Sequence, residues 1–162
     1  MKDTLEHPYI LSMNDRLLRH AFALFLVALV GGLFVPAMPI PRLGLSAHTI
    51  GILSAALLLG VGIIWPRFRL SARNRSVLEW SWIGSSWANW AGCMAGALLG
   101  AGNMTPVASA GASASPAAEA LVATLLGITA VLSFAAAGLS LWGLRAQSTS
   151  QPSEPYDSGH AD

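Results

Sequence analysis

The sequence predicts an all-α membrane protein, a bundle of four transmembrane helices with the N- and C-termini in the cytoplasm. Three observations predict it. Hydrophobic residues make up 54% of the 162 residues and charged residues only 10%, whereas a soluble domain carries roughly 25% charge to cover its exterior. Four apolar stretches each approach the ~20 residues a helix needs to cross a hydrocarbon core. Nearly all arginines and lysines fall on one side of those stretches.

The stretches run from Leu17 to Val35, Ser46 to Trp65, Val77 to Ala101 and Ala118 to Leu144. Backbone N–H and C=O groups find no water in lipid, so each is expected to be a helix. Pro36, Pro39 and Pro41 break the chain after the first, and Pro66 stops the second. Residues 1–15 form a polar segment whose Asp3, Glu6 and Asp15 are unlike the basic start of a signal peptide. The first stretch is therefore expected to stay in the mature protein. One transmembrane domain, residues 16–145, follows. Within it the uncharged Ala/Ser-rich loop from Gly102 to Ala117 reads as irregular rather than as a fifth element. Residues 146–162, rich in Ser, Pro and acids, read as a disordered tail.

Orientation follows from the basic residues. Lys2, Arg16 and Arg19 precede the first stretch; Arg67, Arg69, Arg73 and Arg75 separate the second from the third; Arg145 follows the fourth. Only Arg42 lies on the other side, so the positive-inside rule puts both termini and the middle loop in the cytoplasm. Trp65, Trp80, Trp82 and Trp142 fall near that side, where an aromatic belt sits. A net charge of +1 argues against a nucleic-acid partner, which needs a basic patch on an ordered face. The single cysteine, Cys93, allows no internal disulfide.

A polar side chain inside lipid is costly, so each one is a candidate for function or helix packing. On the third stretch Ser85, Asn89 and Cys93 are spaced by four and stack on one face. Beside them runs a row of small residues, Gly84, Ala88, Gly92, Gly96 and Gly100, which lets helices approach closely. Asn89 reads equally as a substrate contact or as an interhelical hydrogen bond. His48, at the outer end of the second stretch, has the chemistry of a metal or haem ligand; spacing alone reads more readily as an interfacial structural histidine. His20 lies at the opposite depth, about 20 Å or more away along the helix rise, so the two cannot clamp one haem. Glu79 and Glu119 read as helix N-terminal charges. The chain carries no Ser-His-Asp set, P-loop, HExxH or paired cysteine ligands.

Three segments go further: Gly31 to Met38 (GGLFVPAM), Pro41 to His48 (PRLGLSAH) and Gly60 to Pro66 (GVGIIWP). With Trp87-Ala88-Asn89-Trp90 and Leu141 to Arg145 (LWGLR), they resemble the hydroxylaminobenzene mutase family of small bacterial membrane enzymes, from about Arg16 to Arg145. A more distant resemblance is to styrene oxide isomerase, in which an Ala-His at the start of the second span ligates haem b. In that enzyme a Trp followed two residues later by Asn brings the Asn to the active site. Carried over, the resemblance implies haem b on His48, bound through its iron, and Asn89 as a substrate-facing donor. Ser85 and Cys93 would line the same wall. It also implies a homo-oligomer, a trimer, which the glycine row suits, in the bacterial inner membrane. Two departures stand out: Ser85 and Cys93 replace an Asp and a Tyr of the isomerase, which argues for a different substrate.

The mutase resemblance implies an isomerase that turns an arylhydroxylamine into a 2-aminophenol, with ferric haem as Lewis acid and a dry pocket excluding water. Rival expectations are a styrene oxide isomerase-like epoxide isomerase, a four-helix multidrug transporter, which would need a membrane-embedded carboxylate, and a non-catalytic electron carrier.

Overall fold

The computed structural model describes residues 13–145, so residues 1–12 and the tail expected at 146–162 lie outside the described residues. The described chain is all-helical, with four long helices, α1 (Asp15–Leu33), α2 (Pro41–Ile63), α3 (Ala72–Leu99) and α5 (Pro116–Leu144), and one short helix, α4 (Pro106–Ser109).

Capping chemistry sets the boundaries. Asn14 caps α1, its side-chain oxygen accepting the N–H groups of Arg16 and Leu17 at 3.0 and 3.2 Å. Pro41 opens α2 at its first position, where the missing N–H costs nothing and the fixed φ suits a helix. It is a start, not only a break. α2 therefore begins five residues before the expected Ser46. α3 likewise begins at Ala72, capped by the Ser71 hydroxyl on the N–H of Asn74, and ends at Gly100 in the left-handed conformation at φ 71°. The loop expected to be irregular contains the single turn of α4, because Pro106 can open a turn as Pro41 does.

Three of these helices, α1, α2 and α5, are long and apolar enough to cross a membrane. α3 is longer than α1 and α2 but less apolar, since it carries Ser85, Ser86, Asn89 and several tryptophans. It is also the helix against which the other three long helices pack. α3 packs against α5 on one side and α2 and α1 on the other. α5 packs along α3 and leaves Val131, Phe134 and Leu141 on an exposed flank. The four long helices thus form a three-helix core with α5 against one side.

Neighbouring helices run antiparallel. The N–H of Asn14 bonds to Gly62 O at 3.1 Å, tying the start of α1 to the end of α2, and Arg69 N–H bonds to Gly143 O at 2.9 Å, tying the α2–α3 connection to the end of α5. One end of the bundle therefore gathers Arg16, Arg19, Arg67, Arg69, Arg73, Arg75 and Arg145, and Arg42 is at the other. Two apolar clusters fill the interior. Leu17, Leu24, Leu58, Phe68, Leu78 and Ile83 lie in the cluster toward the arginine-rich end, and Met38, Leu43, Ala47, Cys93 and Met94 lie in the opposite one.

Candidate active site

Because Pro41 opens α2, His48 stands two turns inside the helix, deeper than an end position. Its ring faces α1 at Ala28 and Gly32. A Cβ on Gly32 would come within 2.8 Å of the imidazole Cε1 and 3.1 Å of Cγ, so the ring fills the space a side chain would take. His48 Nδ1 lies 2.8 Å from the Ala28 carbonyl oxygen. A carbonyl can only accept, so Nδ1 is the donor, and in the neutral ring Nε2 carries the free lone pair. This is the arrangement by which a backbone carbonyl fixes the tautomer of a ligating histidine.

The half-buried ring also borders an apolar groove of about 570 Å³ between α1 and α2, walled by Leu29, Val30, Leu33, Val35, Pro36 and Leu45. The side chains of Leu33 and Leu45 are 78% and 56% exposed, so the groove opens sideways onto the outer surface of the helices. Imidazole is its single polar side chain. Among the described residues no three or more His, Cys, Asp or Glu come together to cage a bare ion. One fixed imidazole with Nε2 free at an apolar wall instead matches the donor set of a proximal haem ligand.

The α3 candidates lie elsewhere. Ser85 is buried and its hydroxyl donates back to the Trp82 carbonyl at 3.2 Å. Cys93 is buried in the apolar cluster with Met38, Leu43 and Ala47. Asn89, half-buried, sits on the helix turn between them. None of the three lines the His48 groove. Ala47 of α2 packs with Cys93, Met94 and Ala97 of α3, and Gly51 lies between Ala28 of α1 and Trp90 of α3, while His48 faces Ala28 and Gly32 of α1. Cys93 thus shares a buried cluster with Ala47, the chain neighbour of His48, and the imidazole borders a groove that Cys93 does not line.

The small-residue row of α3 is a packing seam, but its partners are within the chain. Gly84 meets Leu132, Gly92 meets Leu125 and Leu126 of α5, and Gly96 meets Leu43 of α2. Those positions are not left open for a sister subunit. Glu79 lies two turns inside α3, paired with Arg16 at 3.4 Å, rather than at a helix N-terminus. Glu119 does sit in the first turn of α5, and its carboxylate accepts the N–H groups of Gly102, Asn103 and Ala114 at 3.0–3.1 Å, pinning the connection between α3 and α5.

Several contributors were not visible in the motifs. Ala28 and Gly32, spaced by four on α1, form the seat of His48; that spacing was the available signal. His20 accepts the indole N–H of Trp87 at 3.2 Å through Nδ1, and Trp87 stands edge-on to Trp90 with ring centroids 5.9 Å apart. The Trp90 Nε1–H is buried with no hydrogen-bond partner among the described residues.

The profile of the styrene oxide isomerase family matches residues 13–145. Hydroxylaminobenzene mutase HabB of Ectopseudomonas oleovorans is 36% identical over 131 residues, covering 80% of each chain. Hydroxylaminobenzene mutase HabA of the same organism is 34% identical over 133 residues, covering 82% of this chain and 98% of its own. No solved structure matches this chain.

Proposed function

This chain belongs to the styrene oxide isomerase family, and from that premise we propose that it is a membrane-embedded mutase converting arylhydroxylamines of the hydroxylaminobenzene type to 2-aminophenols. The names of HabA and HabB support the reaction. The observation that carries the site is the His48 imidazole, its Nδ1–H held by Ala28 O and its Nε2 free at an apolar groove.

The reaction is an isomerisation. The N–O bond breaks, a C–O bond forms at the ortho carbon, and the proton displaced from that carbon ends on nitrogen, so no net oxidant or reductant is consumed. His48 would hold haem b through Nε2, and the bound ferric iron supplies Lewis acidity toward the hydroxylamine. The chain's own part is to hold the aryl ring and exclude water. Leu29, Leu33, Val35 and Leu45 offer the ring an apolar wall, and exclusion of water keeps solvent from trapping electron-poor nitrogen or para carbon. Asn89 does not line the groove of its own chain, so its amide would orient the amino or hydroxyl group from a neighbouring copy that closes the groove, with Ser85 and Cys93 on the same helix face one turn to either side.

In this reading α3 is the fourth span: its 28 residues exceed the ~20 required, and its polar row is shielded by neighbours. The arginine-rich end faces the cytoplasm of a bacterial inner membrane. The His48 groove is open in one chain and takes none of its lining from α3, which favours a homotrimer in which a neighbouring copy closes it. An apolar arylhydroxylamine partitions into lipid and reaches the groove sideways.

The test is purification of the full chain in mild detergent, with a spectrum and a rate. A Soret band together with formation of 2-aminophenol from hydroxylaminobenzene, both lost in His48→Ala, is the expected result. Full activity in haem-free protein would remove the haem assignment and leave the mutase reading standing.

A further inference from the structure

The fold assembles a surface that the rearrangement does not use. Arg67 and Arg69 of the α2–α3 connection and Arg73 in the first turn of α3 are exposed, and none of them forms an ion pair among the described residues. The end of α5 is set flush against that connection. Arg69 N–H bonds to Gly143 O at 2.9 Å, and the Gly143 Cα leaves room for Phe68 and Leu70, whose side-chain carbons would stand 3.1 and 3.0 Å from any Cβ there. That docking brings Arg145, two residues on, to the same end of the bundle as Arg69. Two more guanidinium groups are held in place by tryptophan: Arg145 lies 5.1 Å over the Trp142 ring, and Arg75 lies 5.4 Å over Trp65 while donating to its carbonyl at 3.0 Å. Stacking of this kind fixes a guanidinium before it meets a ligand.

Charge balance at the two ends separates this surface from an ordinary solvated face. The end that carries seven arginines has two described carboxylates, Asp15 and Glu79, and Glu79 is committed to Arg16. The other end balances Arg42 against Glu119. Trp80 and Trp142, 53% and 44% exposed, ring the arginine-rich end, and amphipathic tryptophan rings sit at headgroup level in a bilayer. Unpaired guanidinium groups at that level meet phosphate, which Arg recognises by paired hydrogen bonds.

We infer that the surface formed by Arg67, Arg69, Arg73 and Arg145 binds the phosphodiester headgroup of an anionic phospholipid. This rests on the chain's being a membrane protein, not on the mutase reading, and its test reads no turnover. Full-length protein in neutral detergent is offered equimolar phosphatidylglycerol and phosphatidylcholine with identical acyl chains, and retained lipids are counted by native mass spectrometry. Phosphatidylglycerol should be retained over phosphatidylcholine by about fivefold or more, as expected for several arginines near one headgroup. The combined Arg67→Gln, Arg69→Gln, Arg73→Gln variant should fall to near parity with helical content unchanged. Arg145→Gln, which leaves the connecting loop intact, should give a partial loss, and Arg42→Gln at the other end none. Parity in the unaltered protein, or a preference that survives in the triple variant, would overturn the assignment. So would displacement of phosphatidylglycerol by excess inorganic phosphate, which would mark a site for free phosphate. A preference that emerges only on deletion of residues 146–162, whose carboxylates Glu154, Asp157 and Asp162 follow Arg145, would make the tail the occupant and overturn it as well.

Discussion

Replacing Gly32 with alanine adds one methyl group on α1, directly against the His48 imidazole. The new Cβ would stand 2.8 Å from Cε1 and 3.1 Å from Cγ, with Nδ1 nearer still, where ordinary contact begins at 3.4 Å. The ring must retreat from α1 by more than half an ångström, a shift on the order of that shortfall. It cannot do so and keep the 2.8 Å bond to Ala28 O. Loss of one such hydrogen bond costs about 0.5–1.5 kcal/mol, and overpacking typically costs about 1–3 kcal/mol. The larger effect falls on function, because a misplacement of about 1 Å in a positioned group can cost ~10²-fold in rate. Gly32→Ala should therefore lower kcat/KM for hydroxylaminobenzene by roughly 10- to 100-fold, with a loss in Tm of roughly 3–18 °C, at about 2–4 °C per kcal/mol. Gly60→Ala on α2 is the matched control, since nothing stands within 4 Å of its Cβ, and alanine in a helix interior is favoured over glycine by about 0.5–1 kcal/mol. It should leave activity intact. Wild-type kcat/KM in Gly32→Ala, with an unshifted imidazole ¹⁵N spectrum, would refute the seat and the role built on it.

Other substitutions separate the remaining contacts. His20→Phe strands the Trp87 indole N–H, whose partner is His20 Nδ1; thermal unfolding should show a loss of about 1–3 kcal/mol, with any Soret band retained, unlike His48→Ala. Trp90→Phe removes a donor that has no partner among the described residues while keeping a ring edge-on to Trp87; stability should hold to within about 1 kcal/mol, and a larger loss would point to a hidden acceptor. Glu119→Ala should open residues 102–115 to limited proteolysis, because three backbone N–H groups lose their acceptor; Glu119→Gln, which keeps one carbonyl oxygen, should cleave more slowly. Gly92→Leu should push α5 off α3, since a Cβ there already meets Leu126 at 3.0 Å. A drop in helix–helix stability of about 1–3 kcal/mol in a detergent unfolding assay is expected.

The helices were legible because hydropathy and capping residues are local signals, and the positions of arginine located the ends. What misled were prolines. Pro41 and Pro106 break a pattern read from one side and open a helix read from the other, so α2 starts earlier and α4 exists at all. α3 was read as an apolar stretch like the others, but it is not among the helices apolar enough to cross a membrane by composition, and its polar residues make sense only once the surrounding helices are in place. The glycine row announced close packing truthfully but not its partner, since nothing in a periodic pattern distinguishes α5 of the same chain from a neighbouring subunit. His48 was legible as chemistry. Its tautomer was not, because that depends on a carbonyl twenty residues away in sequence. Asn89, Ser85 and Cys93 share a face as their spacing requires, yet that face and the imidazole look in different directions within one chain. A transport reading would call for a free carboxylate deep in the helices; Glu79 is paired with Arg16 and Glu119 with loop N–H groups.

The central claim is an intramolecular hydroxyl transfer, and isotope labelling tests it directly. Purified full-length protein is given hydroxylaminobenzene carrying ¹⁸O on nitrogen, in unlabelled water without added reductant or nucleotide, and the 2-aminophenol is analysed by mass spectrometry. The account predicts 2-aminophenol that retains the ¹⁸O label. Product whose oxygen comes from water, or no 2-aminophenol from protein that is folded and haem-loaded, would contradict it.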